Sequence, residues 1–456
     1  MSRRGDVGLC VLAFLLNLPL ALGSEGYFWH VTDNHIDTLY ESQQESCRDV
    51  FSPEELGIFG MPRCDCPVIF QKNFVGAMKS LGPAPEFIVW TGDMSPHVKN
   101  ESAFKPESVV VASIENVTNL IKEAFPSTKV FPALGNNDCY PKDQLQPHNS
   151  TLYTAVGEVW RNWIGEAALQ TFHKGGYYSG TIREGENILI LNTNLWMVKN
   201  GLTRNLNDPA SQFKWLEDEL ERIKTAGEIT HMAAHIPLGN NEDYANSDLT
   251  KKFSDRFNGI VVKYSDIIIG QYYGHFHADT VRIINDKSGN KIVGSALISP
   301  ATCGTSGYGG NPTLRMVRYE TTDVKLTDIW QYYMNLTKAN ADPENAEWEL
   351  KYKFTEAYGV NDISTASLTK VVDSFKETNS PYFAKFIRYR RGMFISKYNE
   401  QSCDNECKKG ILCGIEHIWE NSFKQCHENV QSNGHVTKVN IYAFIHVCFA
   451  IYMLLH

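Results

Sequence analysis

A chain of 456 residues with 43% hydrophobic and 12% aromatic content has the material for a large core and is too apolar to be disordered. Its formal net charge of −9, with no basic block anywhere, excludes a partner held through a phosphate backbone, so no nucleic-acid polymer is expected.

The first 23 residues read as a signal peptide. Arg3 and Arg4 open it, residues 11–22 are nearly all apolar, and Ala21-Leu22-Gly23 offers a small-residue cleavage site. A membrane span needs roughly 20 apolar residues, and Asn17 and Pro19 interrupt a run already shorter than that. Export suits the cysteines. Without Cys10 in the leader and Cys448 near the end, nine of the eleven remain, an odd number that leaves at least one outside intrachain pairs. Cys47, Cys64 and Cys66 lie between the first two apolar runs, with Cys47 and Cys64 expected in disulfides. Cys403, Cys407, Cys413 and Cys426 crowd a C-terminal stretch, where oxidised pairs suit an exported chain better than a zinc ribbon. Asn100, Asn116, Asn149 and Asn335 each open a glycosylation triplet.

Short apolar runs recur, each ending in a metal-type residue. Phe28-Trp29-His30-Val31 leads into Asp33 and His35. Residues 87–90 lead into Gly92-Asp93, and residues 130–134 into Gly135-Asn136. Residues 230–234 end on His235, and residues 267–273 deliver His275 and His277. Between the runs, residues 108–125 and the stretch opened by Asp208-Pro209 repeat apolar residues at helical spacing. Strand and helix alternating in this order indicate a layered α/β domain, with ligands beyond the carboxyl ends of its strands. Asp33, His35, Asp93, Asn136, His235, His275 and His277 are enough to hold two divalent ions with one bridging carboxylate. Mixed imidazole and carboxylate donors suit Zn, Fe or Mn rather than Ca or Mg, and Zn is the expected metal. Beyond residue 340, residues 348–358 and 367–398 read mostly as helix. The last apolar stretch, residues 441–455, follows Ser432-Asn433-Gly434 and a short polar spacer, which outlines a glycolipid-anchor (GPI) signal; a docked terminal helix or strand is the other reading.

Asp-x-His, Gly-Asp, Gly-Asn, a single His and Gly-His-x-His, in that order, resemble the calcineurin-like metallophosphoesterases. The wording around them, Trp90-Thr91-Gly92-Asp93, Pro96-His97, Asn192-Thr193-Asn194 and Tyr273-Gly274-His275, is similar to the acid sphingomyelinase-like phosphodiesterases, with the glycolipid-anchored type favoured. The resemblance implies an α/β fold, a layered metallophosphoesterase β-sandwich flanked by helices. Residues 24–340 would form this catalytic domain. Residues 341–434 would form a small helical disulfide-stabilised C-terminal subdomain, and residues 435–456 the anchor signal. It further implies that Asp33, His35 and His277 hold one ion, that Asn136, His235 and His275 hold the other, and that Asp93 bridges them. His97 matches the family histidine near the leaving group. No saposin-like segment precedes Tyr27, which favours a small phosphate ester or nucleotide over sphingomyelin, though a phospholipid diester remains within the class. One departure stands out. Where the family has Gly-Asn-His, this chain has Gly135-Asn136-Asn137, and an amide cannot give up the proton that an imidazole gives a leaving oxygen. Two expectations follow: a monomeric cell-surface or secreted phosphodiesterase of reduced activity that leans on His97, or an impaired surface protein that binds through its metal cleft. Cys139 and Cys303 flank the site, either paired with each other or as two buried thiols.

Overall fold

The computed structural model describes residues 25–40, 56–97, 107–148, 150–242, 246–304, 309–394 and 403–433. In chain order its elements are β1 (Glu25–Val31), β2 (Ile36–Asp37), β3 (Cys66–Pro67), α1 (Val68–Ser80), β4 (Phe87–Trp90), α2 (Glu107–Ala124), β5 (Lys129–Pro132), α3 (Thr151–Ile164) and α4 (Glu166–Gly175). Next come β6 (Tyr178–Arg183), β7 (Glu186–Ile190), α5 (Gln212–Ala226), β8 (Ile229–Ala233), α6 (Lys251–Lys263), β9 (Ile268–Tyr273), β10 (Thr280–Asn285), β11 (Ile292–Ile298), β12 (Thr313–Glu320) and β13 (Leu326–Tyr333). The last are α7 (Leu336–Ala341), β14 (Glu349–Lys353), α8 (Phe354–Tyr358), α9 (Thr365–Phe375), α10 (Pro381–Tyr389), α11 (Asn405–Glu416) and α12 (Glu420–Asn433).

Two six-stranded sheets pack face to face, with orders β14-β13-β12-β1-β4-β5 and β10-β11-β9-β8-β7-β6. Strands β1, β4 and β5 run parallel in the first, and β7, β8, β9 and β11 in the second. Central strands covered on both faces read as unbroken apolar runs, and all four residues of β4 are buried. Phe28 stacks on Phe87 within its sheet and meets Tyr272 of the other edge-on at 5.3 Å, which joins the layers at their middle. Outside the first sheet, α2 turns Val110, Ile114, Val117 and Ile121 inward at the spacing of one helix face. Each such buried aliphatic side chain contributes roughly 1.5–3 kcal/mol of transfer free energy.

Residues 348–358, expected mostly as helix, contain strand β14 before the short α8. Tyr352 is buried between partly exposed neighbours, and pairing with β13 completes the edge of the first sheet. Propensity was overridden here by an open sheet edge. The C-terminal helices close against the second sheet and α6: Trp419 donates its indole N–H to the Asn285 carbonyl at the end of β10, and Asn258 of α6 donates its amide to that of Ile418. Disulfides Cys403–Cys407 and Cys413–Cys426 staple α11 and α12, so the four crowded cysteines are paired rather than ligating zinc.

Candidate metal centre

The carboxyl ends of five parallel strands from both sheets meet at one point. Asp33 and His35 follow β1, Asp93 follows β4, Asn136 follows β5, His235 follows β8, and His275 and His277 follow β9. The turns that carry them are strained. Asp33, His35, Asp93, His275 and His277 all have left-handed backbones, with φ between 39° and 70°. Each costs on the order of 1–3 kcal/mol and persists only where the surroundings over-determine it, the usual mark of a functional site. Two glycines are obligatory for the same approach. A Cβ on Gly135 would sit 2.0 Å from Asp93 Oδ1, and one on Gly274 would sit 2.0 Å from Thr32 Oγ1.

Two groups of side chains that share Asp93 converge, and His97 forms a third with His35 and His277. In the first, His277 Nε2 lies 3.0 Å from Asp33 Oδ1 and 3.0 Å from His35 Nε2, while His35 Nε2 is 3.7 Å from Asp93 Oδ2. In the second, His235 Nε2 lies 3.2 Å from Asp93 Oδ2, 3.0 Å from Asn136 Oδ1 and 3.2 Å from His275 Nδ1. Backbone carbonyls orient two of the rings: His35 Nδ1 donates to Ser95 O at 2.9 Å and His235 Nδ1 to Thr91 O at 2.7 Å. A carbonyl only accepts, so Nδ1 holds a proton in each ring, and each Nε2 would be left to face a bound ion with its lone pair.

The field there favours a cation. Burial would raise the Asp33 carboxyl, but His277, His35 and His235 together hold it well below its usual range. Burial would lower His235, yet Asp93 and Asp33 raise it to about 9. Asp33 Oδ1, although fully buried, accepts no hydrogen bond. Lone pairs crowded at 3.0 Å, an unsatisfied buried carboxylate oxygen and a mixed N/O donor set fit divalent transition-metal ions.

Several residues that hold this geometry were not legible as site residues. The Asp138 carboxylate accepts from the backbone N–H groups of Asp93, Met94, Ser95 and Gly135, at 2.8 to 3.0 Å, and so ties the two ligand loops together. Asp143 Oδ1 accepts from Asn136 Nδ2 at 2.8 Å, turning Asn136 Oδ1 toward His235. Buried Asn194 donates to Leu134 O from behind the same loop. Asp65, fully buried, accepts from His97 N and lies 2.9 Å from His97 Nδ1. The His97 ring lies against His35, with centroids 4.0 Å apart. Burial pushes the Asp65 carboxyl up to about 6, while burial, Lys142 and His277 push the His97 imidazole well below its usual range. The signal that could have found Asp65 is its place between two cysteines.

Asn137 is turned inward: its backbone N–H donates to Asp93 Oδ1 at 2.8 Å and its side-chain amide to Asp93 Oδ2 at 2.7 Å. The pairing of Cys139 with Cys303 is corrected. Cys303 bonds Cys66, because the loop carrying Cys66 hydrogen-bonds His35 O and runs beside Cys303. Cys139 keeps its thiol, buried and directed at Pro141 O and Asn136 O. Cys64 is disulfide-bonded, whereas Cys47 lies outside the described residues. Asn116 is exposed on α2, and Asn335 caps α7 by accepting from Lys338 N. Asn100, Asn149, the leader and residues 435–456 lie outside the described residues.

Two family models match the chain: calcineurin-like phosphoesterase over residues 26–279, and the acid sphingomyelin phosphodiesterase C-terminal region over residues 291–433. This chain belongs to the calcineurin-like phosphoesterase family. Within it, the phosphoesterase is 36% identical to bovine (Bos taurus) cyclic GMP-AMP phosphodiesterase SMPDL3A, over 93% of this chain and 98% of that one. Mouse (Mus musculus) acid sphingomyelinase-like phosphodiesterase 3b is 34% identical, over 91% and 92%. Sphingomyelinase phosphodiesterase C of Dictyostelium discoideum is 33% identical, over 91% and 95%.

Proposed function

We propose that this phosphoesterase hydrolyses small-molecule phosphate diesters, of nucleotide or phospholipid type, at a binuclear centre. Asp33, His35 and His277 would hold one ion, and Asn136, His235 and His275 the other. Asp93 would span both, and Zn is the preferred metal. Bound ions of this kind polarise a phosphoryl oxygen and supply hydroxide near neutral pH. The observation that carries the reading is the single buried carboxylate of Asp93 shared by two convergent donor groups. The chain's own residues do the rest. Asp143 and the backbone carbonyls keep donor atoms forward, and Asp138 locks the loops that carry Asp93 and Asn136. His97, held by Asp65, would be the imidazole that meets the leaving oxygen. The relatives support the reaction class, since their names give cyclic GMP-AMP phosphodiesterase and sphingomyelinase. Purified protein should carry about two transition-metal ions per chain and hydrolyse a chromogenic aryl diester. A screen of diesters, nucleotides and sphingomyelin, with elemental analysis on the same sample, tests this. Bound metal with no hydrolysis of any ester would leave a binding protein.

A further inference from the structure

Among the described residues nine large apolar side chains are exposed, and seven of them lie on segments linked by chain or hydrogen bond to residues of the metal centre. Val198, Leu202 and Leu206 stand 43%, 44% and 38% exposed on one loop. That loop is tied to the centre on one side: Val198 N donates to Asp248 O, and the Asp248 carboxylate lies 3.7 Å from His275 Nε2. It is tied also through Gln144, which donates to Lys199 O and follows Asp143, the partner of Asn136. Tyr140, between Asn137 and Gln144, is exposed on the same side. On the His35 side, β2 begins at the residue after His35 and pairs with β3, which leads directly into α1. There Ile58, Val68 and Ile69 are exposed beside a groove of about 480 Å³. One cluster is thus joined to the His275 and Asn136 side of the centre and the other to its His35 side. Scattered exposed apolar residues need no explanation, but two clusters joined to one centre do.

Charge selects what covers them. Residues 197–207 hold Lys199 and Arg204 and no carboxylate, in a chain whose net charge is −9. Lys72 is exposed four residues after Val68 and three after Ile69, on the same face of α1. Apolar side chains interleaved with cations suit an anionic lipid surface. A second copy on a two-fold axis would instead set Lys199 and Arg204 near like charges. We infer that the rim of the metal centre docks on anionic phospholipid bilayers, with the loop of Leu202 and Leu206 and the first turn of α1 entering the interface and the mouth facing the membrane. This inference does not depend on the reaction assigned to the centre.

The test uses the full chain with vesicles of phosphatidylcholine alone or mixed with phosphatidylserine, read by co-sedimentation and by hydrogen exchange. Phosphatidylserine vesicles should slow exchange in residues 198–206 and 68–72 and leave the hairpin at residues 286–291 unchanged. Leu202→Asp with Leu206→Asp should weaken vesicle binding by about tenfold or more, from the worth of a buried leucine. Lys199→Glu with Arg204→Glu should weaken the phosphatidylserine-dependent part by roughly fivefold per charge and remove its salt sensitivity. Ile292→Asp, at an exposed apolar residue away from the mouth, should change nothing. Folding of each variant is checked by hydrolysis of a soluble aryl diester or, if none is hydrolysed, by circular dichroism. Protection confined to the C-terminal tail would overturn the proposal. So would binding indifferent to both double variants, or a dimer in solution that the leucine variant dissolves.

Discussion

The two halves of the metal centre are built differently. Asp33, His35 and His277 are at most 6% exposed and hang from the central strands β1 and β9, with the Cys66–Cys303 disulfide beside His35. In the other half His235 and Asn136 are just as buried, but His275 is 15% exposed, and Asn136 and His275 face the carboxylates of Asp143 and Asp248, which belong to surface loops. One half is set by the core; the other leans on loops. Stability of a ligand set follows that of the element carrying it, so the second half is expected to exchange its ion more readily.

The largest test removes what the halves share. Asp93→Asn should lose both ions and reduce hydrolysis to background, whereas His35→Ala should mainly empty one site; metal stoichiometry on purified variants decides this. If Asp93→Asn keeps two ions, Asp93 does not bridge. Next, a chelator titration should remove one ion well before the other. Asp143→Ala should weaken only the easily lost ion, by about 10–100-fold, the usual cost of removing an outer hydrogen bond to a ligand. Equal loss of both ions would mean that the halves are equivalent.

The leaving-group side shows the same asymmetry. His97 lies against His35 of the first half, while Asn137 spends its amide on Asp93. Asn137→His should raise hydrolysis of alkyl diesters by about tenfold or more and barely change an aryl diester, given the worth of a general acid. No gain on any ester, with metals bound, would show that proton donation is not what the chain lacks. The smallest effect concerns pH. When Asp65 carries its proton, His97 Nδ1 accepts it as a hydrogen bond and Nε2–H remains as the donor to the site. Because burial raises the Asp65 carboxyl to about 6, alkyl-diester hydrolysis should fall as pH rises through that value. Asp65→Asn, whose amide mimics the protonated acid, should flatten that limb without loss of metal, and Asp65→Ala should lower the rate by roughly tenfold. An unchanged pH profile in Asp65→Asn would separate Asp65 from the chemistry.

Much was readable in the sequence because the relevant signals are local. Apolar runs such as residues 87–90 identify buried strands, and a donor-type residue just past each run is positioned by the chain itself, so Asp33, His35, Asp93, Asn136, His235, His275 and His277, which the fold brings together, could be named as candidates before any contact was known. Helix faces such as that of α2 repeat every three to four residues and are equally local. What the tertiary structure decided is everything that depends on distance across the chain. Strand β14 exists because β13 offers an edge, Cys303 chose Cys66 over Cys139, and Asn137 turned to Asp93 rather than outward. Asp65 reaches His97 across 32 positions and Asp138 reaches Asp93 across 45. A carboxylate's role depends on which N–H groups and rings the fold brings within hydrogen-bond reach, and linear spacing carries no record of that.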